Sequence, residues 1–137
     1  MHILVVGGGM GGTILANNLA RRLSGELEQG SSKITMLSAS DKHMYQPGLL
    51  YVAVGKMSTT ELYRDQKSLL EPSIDFHVDP VEKFDLDNNS VTTKSGKKIS
   101  YDIICIATGS RGNAAGIPGL AENACQFYTE ADALAMY

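Results

Sequence analysis

The apolar positions near the start of the chain follow two different periodicities. Residues 3–6 are four consecutive apolar residues, a pattern typical of a strand buried on both faces. From Thr13 to Leu23 the apolar residues recur at helical spacing, and residues 33–37 form a second apolar run. The glycine-rich residues 7–12 separate the first run from the helix. This order of strand, turn, helix and strand predicts a parallel pair with a right-handed crossover.

The remainder of the chain predicts a mixed α/β domain. Ser58 and Glu61 stand at capping-box spacing, which predicts a helix that continues through Leu70 and stops before Pro72. Further along, the sequence predicts a strand over residues 74–78, an antiparallel meander over 81–99, a strand over 101–107 that is buried on both faces, and a final helix from about Thr129. Loops are predicted over residues 25–32, over 38–56 and after Gly109. The predicted fold class is α/β, a Rossmann-like parallel sheet with helices and a small antiparallel β-meander.

Composition narrows the functional classes. The chain has 137 residues, the size of one domain, and 12 Lys and Arg against 15 Asp and Glu give a net charge of −3. That charge argues against a general nucleic-acid binder. Two cysteines make neither a disulfide framework nor a zinc site, and the three histidines are isolated, so no metal site is expected. This cysteine usage suits a reducing cytoplasm, so we expect a cytoplasmic location. The chain shows neither an apolar run long enough to span a membrane nor a signal-peptide pattern.

The glycine turn predicts a dinucleotide site. Residues 7–12 contain the pattern Gly-x-Gly-x-x-Gly between a predicted strand and a predicted helix. In this pattern Gly7 permits the tight turn, Gly9 lets a pyrophosphate approach the backbone, and Gly12 lets the helix pack closely. The amides at the helix start, including those of Met10 and Gly11, attract phosphate oxygens, helped by the helix dipole.

The end of the second predicted strand leaves the ribose contact open. An acidic residue is expected there, but the position holds Ser38, and Asp41 is the nearest acid. The ribose contact is therefore a single hydrogen bond from Ser38, a water-mediated contact, or a contact from Asp41. Alternatively, Ser38 caps the following turn.

Residues 101–109 carry a family resemblance. The sequence Tyr-Asp followed by apolar residues and Ala-Thr-Gly resembles the strand that closes the FAD domain in the two-dinucleotide-domain flavoproteins of the glutathione-reductase fold. The small residues Ala107, Thr108 and Gly109 let the chain pass close to a cofactor. The resemblance implies FAD as the cofactor, with Val81 at the adenine. Cys105, in the middle of this strand, is interpreted as a small buried hydrophobic residue.

A second segment narrows the resemblance to one group. Residues 45–55, which include Gln46 and Pro47, resemble the segment that carries the flavin-side proline in sulfide:quinone oxidoreductases. Ser38 and Ala39 at the end of the second strand also resemble that group. The implied reaction passes electrons from sulfide through FAD to a quinone. Type II NADH:quinone dehydrogenases and flavocytochrome c sulfide dehydrogenases share much of the pattern and remain alternatives, and a non-enzymatic dinucleotide-binding domain is a third class.

The resemblance also implies a larger enzyme. Residues 1–137 correspond to an N-terminal FAD-binding domain, and we expect this chain to be a fragment of a longer flavoenzyme that is inactive alone. Membrane contact would come through regions outside this chain, with the full-length protein peripheral on the cytoplasmic membrane. The oligomeric state is left open.

Cys125 is the candidate catalytic residue. In sulfide:quinone oxidoreductases a cysteine just before this terminal helix handles sulfur at the flavin, and a thiolate is the reactive form. Alignment on Thr129 and Ala133 places that cysteine at Tyr128 instead. Either a loop shift brings Cys125 to the flavin, or the chain lacks this cysteine and is closer to the NADH dehydrogenases or uses another thiol arrangement. Alternatively, Cys125 is a surface cysteine without a role. His43 lies close to the predicted flavin loop, and a surface histidine is its favoured interpretation.

Overall fold

A computed structural model describes residues 1–113 and 116–137, with the side chain of residue 121 also left undescribed. The strands are β1 His2–Val6, β2 Lys33–Ser38, β3 Lys42–Met44, β4 Tyr63–Asp65, β5 Ile74–Val78, β6 Val81–Asp85, β7 Ser90–Thr93, β8 Lys98–Ser100 and β9 Ile103–Ile106. The α-helices are α1 Met10–Arg22, α2 Ser24–Glu28, α3 Leu49–Ala53, α4 Leu120–Asn123 and α5 Glu130–Met136. Three short 3₁₀ helices span Gln46–Gly48, Thr59–Leu62 and Lys67–Leu69.

The parallel sheet confirms the predicted fold class. Four strands pair in the order β5-β2-β1-β9, all of them parallel. β1 and β2 pair in register from His2 opposite Lys33 to Val6 opposite Leu37, so both strands end beside the glycine turn. Strands β6, β7 and β8 form the predicted antiparallel meander.

The described residues divide into two compact units. Unit 1 comprises Met1–His43 and Asp65–Gly109, and unit 2 comprises Met44–Arg64 and Ser110–Tyr137. In unit 1 the sheet has apolar clusters on its two faces, and α1 packs on one of them through Ala16 and Ala20. In unit 2 the core is smaller and consists of Leu49, Val52, Leu62 and Ala133.

The predicted helix over residues 58–70 is wrong. The capping box is present, since the Glu61 carboxylate accepts a hydrogen bond from the Ser58 amide at 2.9 Å. It starts only one 3₁₀ turn, because the chain then extends as β4 and pairs with β3. The predicted loops over 25–32, over 38–56 and after Gly109 are likewise interrupted, by α2, by β3 and α3, and by α4; residues 114 and 115 of the last loop lie outside the described part.

The predicted strand over residues 101–107 is also shorter and more exposed than expected. β9 covers four residues, and Ile103 and Ile106 are 46% and 55% exposed. β9 stands at the sheet edge and pairs with β1 alone among the described residues, so the run that was predicted to be buried on both faces has one open side. Cys105 is half-buried and packs on the cluster of α1. The final helix is confirmed, with Thr129 as its N-cap.

Candidate functional site

The glycine turn contains both crowded and open positions. Gly7 has φ of +118°, and a Cβ there would lie 2.2 Å from the Ala107 carbonyl oxygen. A Cβ at Gly12 would lie 2.0 Å from the Gly7 carbonyl oxygen. Both positions therefore exclude any side chain. A Cβ at Gly9 or Gly11, by contrast, would have no atom within 4 Å.

The open space around Gly9 and Gly11 adjoins the first backbone amides of α1. Gly9 is the N-cap of α1, and no residue of the described chain accepts a hydrogen bond from the amides of Gly9, Met10, Gly11 or Gly12. The first amides of a helix have no partner within the helix and bear the positive end of its dipole. A ligand with negatively charged oxygens fits this arrangement, because it accepts hydrogen bonds from the amides and fills space that no side chain occupies.

The end of β9 lies directly against the turn. The Ala107 amide donates to the Val6 carbonyl at 2.8 Å, which continues the pairing of β9 with β1 past the end of the strand. The contact that excludes a side chain at Gly7 comes from Ala107 itself. Thr108 and Gly109 follow and are exposed, with φ of +78° at Gly109. Two segments about 100 residues apart thus meet at one edge of the sheet, as the parallel order requires.

Ser38 points into the protein at the end of β2. Its side chain is 7% exposed, and its hydroxyl accepts a hydrogen bond from the Ser40 amide at 3.2 Å. A Cβ on Gly8 would lie 2.5 Å from that hydroxyl. The structure thus shows the turn-capping contact, and the contact of Ser38 with a ribose stays a prediction. Ala39 and Asp41 are exposed, and the Asp41 carboxylate lies 3.9 Å from the Lys42 ammonium.

Val81 begins the meander. It is half-buried and packs on the cluster that contains Leu4, Val6 and Leu37. The register of β6 against β7 shifts between Val81 and Lys83, so the ladder is irregular where Val81 lies. Its backbone contact with an adenine stays a prediction.

Gln46, Pro47 and Cys125 belong to unit 2, whereas the site residues described above belong to unit 1. Gln46 and Pro47 open a 3₁₀ helix, with Pro47 exposed. The Tyr128 hydroxyl shares a hydrogen bond of 2.9 Å with that of Ser110. Hydrogen bonds from Ser110, and then from Gln46, lower the pKa of Tyr128 below its usual range.

Cys125 lies in an open pocket of unit 2. Cys125 is exposed. The pocket has a volume of about 630 Å³ and is also lined by Gly112, Gln126 and Asp132. Elsewhere in unit 2, the Tyr63 hydroxyl donates to the Glu130 carboxylate at 2.5 Å, which raises the pKa of Tyr63. The accessibility that a reactive thiol requires is therefore present, whereas a role for Cys125 stays a prediction.

One part of the site was missed by sequence reasoning. Gln66 is fully buried, and its amide lies between Thr13 at the start of α1 and His43 in β3. His43 was interpreted as a surface histidine, and this is wrong, because its ring is half-buried and its Nδ1 lies 3.1 Å from the Gly8 carbonyl oxygen. The sequence offers one signal for this contact, the position of Thr13 four residues after Gly9, one helical turn into α1.

Within the part of the chain that the structure describes, no group of three metal-ligating side chains is brought together. No helix there has the length and hydropathy needed to cross a bilayer.

The parallel sheet and the glycine turn at its edge place the chain among the Rossmann-like α/β domains. Residues 1–136 match the pyridine nucleotide-disulphide oxidoreductase family, so the chain belongs to that family. This confirms the family prediction made from the sequence.

Two of the similar curated proteins are sulfide:quinone enzymes. The chain is 37% identical over 134 residues to the sulfide-quinone reductase of Aquifex aeolicus, which covers 97% of this chain and 30% of the relative. It is 32% identical over 121 residues to the mitochondrial sulfide:quinone oxidoreductase of Mus musculus, covering 88% of this chain and 26% of the relative. The chain thus spans less than a third of the length of these relatives.

Two solved structures superpose on nearly the whole of this chain. The Aquifex aeolicus sulfide:quinone oxidoreductase superposes with a TM-score of 0.78 at 32% identity, over 98% of this chain and 30% of that one. NDH2 from Plasmodium falciparum in complex with NADH superposes with a TM-score of 0.69 at 19% identity, over 98% of this chain and 27% of that one. At that identity the second similarity shows the shared fold alone.

Proposed function

We propose that this chain binds FAD and forms the FAD-binding part of a flavoenzyme that passes electrons from sulfide to a quinone. The observation that carries the proposal is the glycine turn, where unpaired amides face space that no side chain fills. The similarity to sulfide:quinone enzymes at 37% and 32% identity supports the choice of substrates.

The phosphate and ribose contacts follow from the elements that end at this edge of the sheet, and the adenine and flavin contacts follow from the family resemblance. The amides of Gly9, Met10, Gly11 and Gly12 would bind the pyrophosphate, and the exposed Thr108 and Gly109 lie on the segment that follows β9 beside the turn. Ser38 and Ala39 at the end of β2 would be near the ribose, with Asp41 or a water molecule as the alternative contact. The backbone of Val81 would meet the adenine, and Gln46 with Pro47 would meet the flavin side.

FAD would supply the two-electron chemistry, and the protein would orient it and shape its electrostatic surroundings. Cys125 would relay sulfur as a thiolate, with the two electrons released by sulfur oxidation passing to FAD, and its exposed position makes the thiol accessible. Because the chain spans less than a third of its relatives, we further propose that it functions within a longer protein. That protein would be peripheral on the cytoplasmic membrane through regions outside this chain, while residues 1–137 alone would hold FAD weakly.

A second candidate uses NADH as the electron donor. It is favoured by Tyr128, which occupies the position where the resemblance places the reactive cysteine and whose hydroxyl is bonded to Ser110. Anaerobic titration of the full gene product that contains this chain separates the two donors. Sulfide should bleach the flavin absorption and NADH should not; bleaching by NADH alone would replace the first candidate with the second.

The role of Cys125 needs its own test. Cys125→Ser in the full gene product should lower sulfide-dependent quinone reduction while the bound FAD is retained. Cys105→Ser is the matched control, because Cys105 is the other cysteine of the chain and packs on the sheet of unit 1. Unchanged sulfide turnover in Cys125→Ser would remove this residue from the mechanism without touching the FAD proposal.

A further inference from the structure

A buried hydrogen-bond network lies beneath the glycine turn. The Gln66 amide group donates through Nε2 to the Thr13 hydroxyl at 2.8 Å, and its Oε1 lies 3.0 Å from Nδ1 of His43. The Thr13 hydroxyl in turn donates to the Gly9 carbonyl at 2.9 Å. A Cβ on Gly8 would lie 3.5 Å from the Gln66 side chain, so the network is packed directly against the turn.

The partners fix the direction of every bond in this network. Nδ1 of His43 faces two carbonyl oxygens, from Gly8 at 3.1 Å and from the Gln66 side chain at 3.0 Å. Since both oxygens only accept, Nδ1 carries the proton. The Thr13 hydroxyl has one hydrogen, which goes to the Gly9 carbonyl at 2.9 Å rather than to the Gly8 carbonyl at 3.4 Å. It therefore accepts from Gln66. Gln66 thus both donates and accepts, which a carboxylate or an apolar side chain in its place would not do.

The network determines where the free amides point. A peptide unit is planar and trans, so its N–H points opposite to its C=O. The Gly8 carbonyl faces His43 in the interior, which turns the Gly9 amide outwards. The Gly9 carbonyl accepts from the Thr13 hydroxyl and from the Thr13 amide at 3.0 Å, which turns the Met10 amide outwards in the same way.

We propose that Gln66 is a positioning residue for phosphate binding: through Thr13 and His43 it holds the Gly8 and Gly9 carbonyls inward, and so aims the amides of Gly9 and Met10 at the ligand. This rests on the proposed dinucleotide site and adds to it a buried side chain that never touches the ligand. Two preoriented amides bind anionic oxygens better than amides that must first rotate, because the cost of ordering has been met during folding.

The test is a titration of the 137-residue chain with ADP and with adenosine, followed by ¹H–¹⁵N NMR. The amide signals of Gly9 and Met10 should shift with ADP. In Gln66→Leu the affinity for ADP should fall about tenfold, because weakening one charge-assisted hydrogen bond to a phosphate oxygen lowers affinity by roughly that factor. The affinity for adenosine, which has no phosphate, should change less than about twofold. A merely structural role would weaken both ligands alike.

A pair of substitutions at Thr13 keeps the proposal testable if Gln66→Leu does not fold. Thr13→Ser retains the hydroxyl and should bind ADP as the unaltered chain does, whereas Thr13→Val should lose affinity to the same extent as Gln66→Leu. The control for lost stability is Ile34→Val, a fully buried residue of β2 at the end of the strand away from Ser38. It should leave the affinity for ADP unchanged.

The outcomes separate the two proposals. If the unaltered chain shows no ADP-dependent shift at Gly9 and Met10, the proposed dinucleotide site fails, and the role of Gln66 with it. If the unaltered chain binds ADP, and Gln66→Leu and Thr13→Val bind it equally well, the site stands and the positioning role is overturned. Equal losses for ADP and adenosine would also overturn it.

Discussion

The two compact units bury polar groups in different ways. In unit 1 six polar side chains are buried, and they accompany the sheet and the glycine turn: Thr13, Thr35, Ser38, Gln66, Ser90 and Thr93. In unit 2 the buried side chains of the described residues are apolar, and the hydrogen-bonded groups, such as Tyr128 and Asp132, are at or near the surface. Three of the six, Thr13, Ser38 and Gln66, make their hydrogen bonds at the glycine turn, whereas unit 2 uses polar groups to cap and link short segments.

This difference teaches where substitutions should be costly. A buried polar group that loses its partner bears the full desolvation cost, whereas a surface group regains water. The backbone of the turn is also crowded on one side, at Gly7 and Gly12, and open on the other, at Gly9 and Gly11. Changes on the crowded side should thus damage the fold, and changes on the open side should damage binding. Changes to the surface hydrogen bonds of unit 2 should have small, local effects on stability.

The largest effect is expected at Gly12. Gly12→Ala places a Cβ where the Gly7 carbonyl oxygen lies, so the turn or α1 has to move, at a cost of about 3 kcal/mol or more. Gly11→Ala is the matched change one residue earlier in the same helix, with open space around its Cβ. It should stabilise the chain by about 0.5–1 kcal/mol. Urea unfolding measures both, and equal stabilities would contradict the division into crowded and open sides.

Gly9→Val should abolish FAD binding and leave the fold intact. Its side chain would fill the open space where the pyrophosphate meets the backbone, and its φ of −73° is one that valine adopts. The free energy of unfolding should change by only about 1 kcal/mol. The measurement is the flavin content of the purified full gene product. Gly25→Ala, another open glycine outside the turn, should keep the yellow colour; a yellow Gly9→Val protein would contradict the assignment.

How far the sequence predicts this fold depends on the distance between interacting residues. The segment from β1 to β2 is predicted correctly because its signals are local: apolar runs, helical spacing and glycines. The helix over residues 58–70 is wrongly predicted because the capping box is genuine but the following residues pair with β3, a tertiary preference that local propensity does not contain. The exposure of Ile103 and Ile106 likewise depends on which strands lie beside β9.

The site shows the same limit. The glycine positions are predicted from a motif with a defined spacing. Gln66, however, contacts Thr13 across 53 positions, and nothing in its neighbours distinguishes it from a surface glutamine. Ser38 is identified by position, but the direction of its hydroxyl follows from the turn to Ser40.

A smaller, local effect is expected at the start of α5. Thr129→Ala removes the hydroxyl that accepts from the Asp132 amide at 3.1 Å and should cost about 1 kcal/mol. Hydrogen exchange should show faster exchange in α5, while Thr129→Ser behaves like the unaltered chain. Binding of ADP at the glycine turn should not change. A loss of ADP binding in Thr129→Ala would contradict the separation of roles between the two units.

The smallest effect is the pH dependence of the same cap. The Asp132 carboxylate accepts from the amides of Thr129 at 2.7 Å and Tyr128 at 3.0 Å, and these hydrogen bonds hold its pKa below the usual 3.8. Because the folded-state pKa is the lower one, this stabilisation is present above the unfolded value and is lost as the pH falls through the folded one. Protection of α5 against hydrogen exchange should therefore decrease in acid, with a weaker decrease in Asp132→Asn. An identical acid response in both would remove Asp132 as its source.

The most direct test of the central claim is a crystal structure of the full gene product with FAD. The pyrophosphate oxygens should lie within hydrogen-bond distance of the Gly9 and Met10 amides, with the Gln66, Thr13 and His43 contacts unchanged beneath the turn. A pyrophosphate bound elsewhere, with these amides still facing open solvent, would contradict the account.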